Sequence, residues 1–112
     1  MKQGLEQQLK SITANKKAQV GVAVIINGKD TVTLNNDVHY PMMSVFKFHQ
    51  ALAVAKQLEQ KKSPLTTSIH IKKADLLPDT YSPLRDKYPQ GNIDMSVGDL
   101  LTYTLQLSDN NA

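Results

Sequence analysis

Leu5, Leu9 and Ile12 recur at helical spacing among Gln, Glu and Lys, which predicts a short amphipathic helix over residues 3–14. The period then changes. In "AQVGVAVIINGKDTVTLNN" two β-prone runs flank Asn27-Gly28, residue types that supply the positive φ angles of a tight hairpin turn. Along the first run Val20, Val22, Val24 and Ile26 face one way, and Gly21, Ala23 and Ile25 the other. Neither set is polar, and such a strand expects cover on both faces or a central place in a sheet. One hairpin and one short helix cannot provide it, so further strands outside these residues are expected.

From Pro41 the helical period returns. Residues 44–62 are good helix formers, apolar nearly all round in the first half and closing on "KQLEQKK". Apolarity on every side predicts burial, and the lysine-rich end suits the negative pole of the helix. "SPLTTSIHI" reads as a connector with a short extended piece. "KKADLLPDTYSPLRDKYPQGN" reads as irregular, broken by Pro78, Pro83, Pro89 and Gly91. "MSVGDLLTYTLQL" predicts a second helix, with Ser96 and Asp99 placed as a capping box. Asp109 and Asn110 are good N-cap residues, which announces the start of another helix.

Composition narrows the function classes. The 112 residues are 40% hydrophobic and 21% charged, with a formal charge of +3 and no cysteine. Disulfides and thiolate metal sites are thereby excluded. The lysines are scattered and lack the aromatic interleaving of a nucleic-acid groove. No stretch approaches the ~20 apolar residues of a membrane span. The opening "MKQGLEQQLK" has no apolar signal-peptide core, which leaves a cytoplasmic protein or an exported one in mature form behind Met1. His39, His49 and His70 match no metal-ligand spacing, and no cofactor is called for. Asp75, Asp79 and Asp86 read as caps or solvated loop charges, and Met42 and Met43 as core filling.

One residue resists this account. Lys47 is bracketed by Val45, Phe46, Phe48, Ala51 and Leu52, and stands three residues after Ser44. At a helix start, backbone N–H groups without intrahelical partners and the positive pole favour an alkoxide or oxyanion. A lysine at i+3 lies on the same face. An apolar surround favours its neutral amine, which can accept a proton. These are parts of an acyl-transfer site. Ser-x-x-Lys alone is weak, since chance supplies it in ~0.4 of chains this long, and a cap serine beside a snorkelling lysine explains it equally. Ser108-Asp109-Asn110 changes the odds, being expected in only ~2% of such chains.

Ser44-Val45-Phe46-Lys47 together with Ser108-Asp109-Asn110 resembles the class A serine β-lactamases. The order of parts agrees over essentially the whole chain: helix, hairpin, buried helix opening at Ser-x-x-Lys, an irregular segment with "YSP", a capped helix, then Ser-Asp-Asn. The spacing between the motifs is lengthened through "PDTYSPLRDKYPQGN", as in the extended branch of Bacteroides-type enzymes. The resemblance implies an α+β, multidomain fold. Residues 1–40 would be the N-terminal helix and β-hairpin of its sheet domain, and residues 41–112 the first part of its helical domain.

The same resemblance implies roles. Ser44 would be the nucleophile that opens the lactam, and its N–H an oxyanion donor. Lys47 would assist proton removal. Ser108 would relay a proton to the departing nitrogen. Asn110 would bind the substrate's side-chain amide, Tyr81 would wall the cleft, and Asp109 would fix the loop. It also implies a periplasmic or secreted enzyme acting on penicillins or cephalosporins. The family's deacylating glutamate, its Lys-Thr-Gly strand and its second oxyanion donor are not among these residues. The expectation is therefore an N-terminal segment that is incompetent alone and needs the remaining C-terminal part. A penicillin-binding D,D-peptidase, a serine-dependent glutaminase and a non-hydrolysing β-lactam sensor share some of these parts and remain rivals.

Overall fold

Asn27 and Gly28 both take positive φ, 53° and 68°, and the Lys29 amide donates to the Ile26 carbonyl across them at 3.1 Å. This primed turn matches the right-handed twist of the strands it joins. In the computed structural model, which describes residues 2–112, β1 (Val22–Ile26) and β2 (Asp30–Leu34) pair antiparallel with Val24 opposite Val32. Helix α1 (Lys2–Thr13) lies against β2, and Val32 is buried beneath it. Val22, Val24 and Ile26 are half-buried, whereas Ile25 on the other face is 67% exposed. Among the described residues the hairpin has cover on one side only. These elements form one compact unit, reaching to Pro41; a second runs from Met42 to Ala112.

The second unit opens with a 3₁₀ turn, Met43–Val45, that runs into α2 (Phe46–Lys61). The helix ends in a Schellman motif: Lys62 is left-handed at φ 51°, its amide donates to Glu59, and the Ser63 amide donates to Leu58. Strand β3 (Ser68–Lys72) follows, then the short helix α3 (Pro83–Lys87), β4 (Gly91–Ser96) and α4 (Val97–Gln106). The Ser82 and Ser96 hydroxyls cap α3 and α4, accepting from the amides of Arg85 and Asp99. Ile71, Leu76 and Leu84 form the buried centre, with Tyr88, Ile93 and Met95 packed on it.

Three sequence expectations change here. The short extended piece expected near residue 70 is β3, and it pairs antiparallel with β4, which lies where only an irregular segment and the start of a helix were expected. Helix α2, expected to be buried, has no buried residue: Phe46, Phe48 and Leu52 are each more than half exposed. Met42 and Met43 are likewise exposed, at 46% and 79%, so they do not fill a core in this unit.

Gly91 closes the β3–β4 pair. Its φ is 56°, and a Cβ there would lie 2.5 Å from the Lys73 nitrogen and 2.7 Å from the Lys72 carbonyl carbon. Both obstacles are backbone and cannot swing aside. Gly91→Ala is expected to destabilise the protein by about 2–3 kcal/mol through positive-φ strain and this clash. A lower urea midpoint at unchanged m-value would show it.

Candidate active site

Ser44 lies in the 3₁₀ turn before α2, exposed, and Lys47 is the second residue of the helix proper, half-buried. Ser108 and Asn110 come from the loop after α4. Across a separation of 64 residues, the Ser108 hydroxyl donates to Ser44 Oγ at 2.8 Å. Lys47 Nζ donates to Ser108 Oγ at 3.2 Å, to the Ser108 carbonyl at 2.5 Å and to Asn110 Oδ1 at 2.6 Å. Three acceptors match the three N–H groups of an ammonium.

The i, i+3 spacing places Lys47 on the face of Ser44. Its hydrogen bonds go to Ser108 and Asn110, and its link to Ser44 runs through the Ser108 hydroxyl. As drawn, the chain donates from Lys47 to Ser108 to Ser44, which would stabilise negative charge on Ser44 Oγ. Reversed, with a neutral lysine, the same contacts would carry the Ser44 proton away. A hydroxyl that both donates and accepts is what permits either direction.

Two residues at this junction have left-handed backbones without being glycine: Met43, φ 48°, and Ser108, φ 54°. Each conformation costs on the order of 1–2 kcal/mol for an L-residue. It persists where surrounding structure over-determines it, as it does at functional clefts. For Ser108 the surroundings are visible. The neighbouring Asp109 is completely buried, and its carboxylate accepts from Ser82 Oγ and from the amides of Leu84, Asn111 and Ala112. Acceptance from the amides two and three residues on is the N-cap pattern expected of Asp109. The far end of the same carboxylate system fixes the start of α3.

Asn110 is tied on its other side to the segment before α3. Its Nδ2 donates to Thr80 Oγ1 at 2.8 Å, and its backbone amide donates to the Tyr81 carbonyl at 3.1 Å. The Tyr81 side chain is 61% exposed beside it. Sequence reasoning missed Thr80, Ser82, Arg85 and Asn111, all of which hold this segment. Ser82-Pro83 carries a readable N-cap signal with proline at N1; the other three have no local signature. Two of the three histidines have ordinary partners: His70 Nδ1 meets Asp94 across β3 and β4 at 2.9 Å, and His49 stacks on Phe46. Asp75 accepts from the Lys72 amide and Asp86 pairs with Arg85.

Comparison with known proteins gives this geometry a family. The sequence profile of the β-lactamase enzyme family matches residues 3–112. The chain belongs to that family. A β-lactamase from Bacteroides uniformis is 41% identical over 108 residues, 96% of this chain and 36% of that protein. The crystal structure of TLA-1 extended-spectrum β-lactamase superposes with a TM-score of 0.90 at 43% identity, covering 98% of this chain and 40% of the other. A class A β-lactamase from Bacteroides cellulosilyticus gives 0.89 at 48% identity, over 98% and 40% of the respective chains. The α+β fold is thus that of the class A β-lactamases over the shared region. The chain spans about a third of the length of the curated relatives it matches.

Proposed function

We propose that this protein hydrolyses β-lactams through an acyl-enzyme on Ser44, and so confers resistance to them. The observation that carries the reading is the unbroken hydrogen-bonded chain Ser44–Ser108–Lys47, built from the two motifs. Ser44 Oγ attacks the lactam carbonyl carbon. Its proton leaves along Ser108 and Lys47, and the tetrahedral oxyanion is held by donors that include the Ser44 N–H. When the carbonyl re-forms, the C–N bond breaks and Ser108 returns the proton to the departing nitrogen. Water then hydrolyses the serine ester, releasing the ring-opened acid and free Ser44. Asn110 and Tyr81 receive the substrate's side-chain amide and flank the cleft.

In this reading residues 1–40 belong to the sheet domain of the family fold and 41–112 to its helical domain. By the same resemblance the enzyme works in the periplasm or outside the cell. Among the described residues no helix is long and apolar enough to cross a membrane. The intact Ser-Asp-Asn favours a β-lactamase over a D,D-peptidase, whose corresponding motif is the looser Ser-x-Asn.

The test is turnover of a chromogenic cephalosporin by a protein of the relatives' length that contains these 112 residues, with mass spectrometry of the intermediate. Steady hydrolysis with a transient adduct on Ser44 is expected. A permanent adduct without turnover would replace hydrolysis with sensing, and no adduct would end the reading. Residues 1–112 expressed alone are expected to show no steady-state hydrolysis. They supply one oxyanion donor at Ser44, and loss of a single such donor costs ~10²–10³ in rate. Multiple turnovers by this isolated, monomeric segment would force a search for a second donor and a base within it.

A further inference from the structure

The segment from Leu77 to Ser82 has no regular secondary structure, yet three of its carbonyls turn towards one point. That point is Arg85. Its Nη1 donates to the carbonyls of Leu77 at 2.9 Å, Pro78 at 2.6 Å and Thr80 at 2.7 Å. Its Nε and Nη2 both reach Asp86 Oδ1, at 3.2 and 2.8 Å, which fixes the plane of the guanidinium. The side chain is 22% exposed. Converging carbonyl dipoles repel one another, and a cation with several N–H groups at their focus converts the repulsion into charge-assisted bonds.

We infer that Arg85 is a positioning residue that sets the Thr80–Tyr81 wall of the cleft, and through it the orientation of Asn110. This rests on the reading of Ser44 as the acylated nucleophile. The path is short. Arg85 holds the Thr80 backbone, Thr80 Oγ1 accepts from Asn110 Nδ2, and the Tyr81 carbonyl accepts from the Asn110 amide. The ends of the segment have other anchors. Asn111 Oδ1 accepts from the Leu77 amide at 3.0 Å, and Ser82 is bonded to Asp109. Without Arg85 the ends therefore stay pinned while the middle, residues 78–80, loosens. Arg85 touches none of Ser44, Lys47 and Ser108, and a shift of Asn110 would cost Lys47 one of its three acceptors while leaving both bonds to Ser108, so the proton relay is spared. Loss of Arg85 weakens substrate placement while the chemistry of the bound substrate continues.

Two substitutions, made in a protein of the relatives' length that contains these residues, separate this from a general structural role. Arg85→Met keeps the apolar stem and removes every donor. Arg85→Lys brings back an ammonium with three N–H groups to the same carbonyls, but not the guanidinium contact with Asp86. Arg85→Met is expected to raise KM for a chromogenic cephalosporin about tenfold with kcat changed by less than about twofold, the signature of lost binding. Amide exchange at Thr80 and Tyr81 is expected to accelerate by about tenfold or more. Arg85→Lys is expected to bring both within about threefold of the parent. Unchanged KM and unchanged exchange in Arg85→Met would overturn the inference. So would kcat falling as steeply as kcat/KM, or an Arg85→Lys protein as impaired as Arg85→Met. If the parent hydrolyses no β-lactam, the proposed function fails by itself, and the exchange rates still decide whether Arg85 holds the segment.

Discussion

Ser44→Ala is expected to leave no covalent adduct with a cephalosporin and to lower kcat on the order of 10⁶-fold, as loss of the serine does in a comparable acyl-transfer site. Ser108 Oγ, only 2.8 Å away, is the obvious substitute nucleophile. It is poorly suited to the task. It is half-buried where Ser44 is exposed, it accepts from Lys47, and the buried Asp109 beside it fixes its backbone. Lys47→Met is a graded comparison. It removes the terminal amine of the proposed relay, and loss of a general acid–base group is worth typically 10²–10⁴-fold. It also frees the Ser108 carbonyl and Asn110 Oδ1, so KM is expected to rise along with the fall in kcat. The adduct on Ser44 should still form in Lys47→Met, slowly. Full burst amplitude in Ser44→Ala would mean that another residue attacks the lactam.

How much of this was legible depends on whether the cause was local. Asn27-Gly28 dictates its turn through its own φ preferences, and Ser96 with Asp99 caps α4 within one helical turn, so both could be read from short windows. Strands β3 and β4 could not be fixed that way. Ile69 with Ile71 and Ile93 with Met95 do alternate, but each run is short, and Ile71 pairs with Ile93 and Ile69 with Met95 across an intervening segment broken by three prolines. The two motifs gave the partners of the site. They did not give the order of the hydrogen bonds, because i, i+3 spacing places Lys47 beside Ser44 without saying which acceptors it prefers. Ser108, with its carbonyl and hydroxyl presented together by a left-handed backbone, outcompetes a single hydroxyl. Burial of α2 was inferred from its composition, and composition reports the surroundings a helix is suited to. Within residues 42–112 those surroundings leave Phe46 and Phe48 exposed. Arg85 left no trace in any pattern, since its targets are backbone carbonyls that every sequence has.

Asp109→Ala is expected to destabilise the protein by about 3–5 kcal/mol, the largest effect on stability at this site. The carboxylate is fully buried and serves four donors: the Ser82 hydroxyl and the amides of Leu84, Asn111 and Ala112. Each orphaned buried donor costs about 1–3 kcal/mol, and water entering the space left by the carboxylate offsets part of the sum. Asp109→Asn tests whether the charge or the shape matters. An amide keeps the volume but offers one acceptor oxygen, so it can serve the Ser82–Leu84 side or the Asn111–Ala112 side, and its NH₂ then faces donors. A cost of about 2–4 kcal/mol is expected for Asn, below that for Ala. Activity should fall in both beyond the loss of folded protein, because Asp109 holds Ser108 on one side and Asn110 on the other. Urea unfolding gives the stabilities, and kcat per active site, titrated by acylation, gives the rest. Stability of Asp109→Ala within about 0.5 kcal/mol of the parent, the range of an ordinary surface change, would show that the loop is held by something other than this carboxylate.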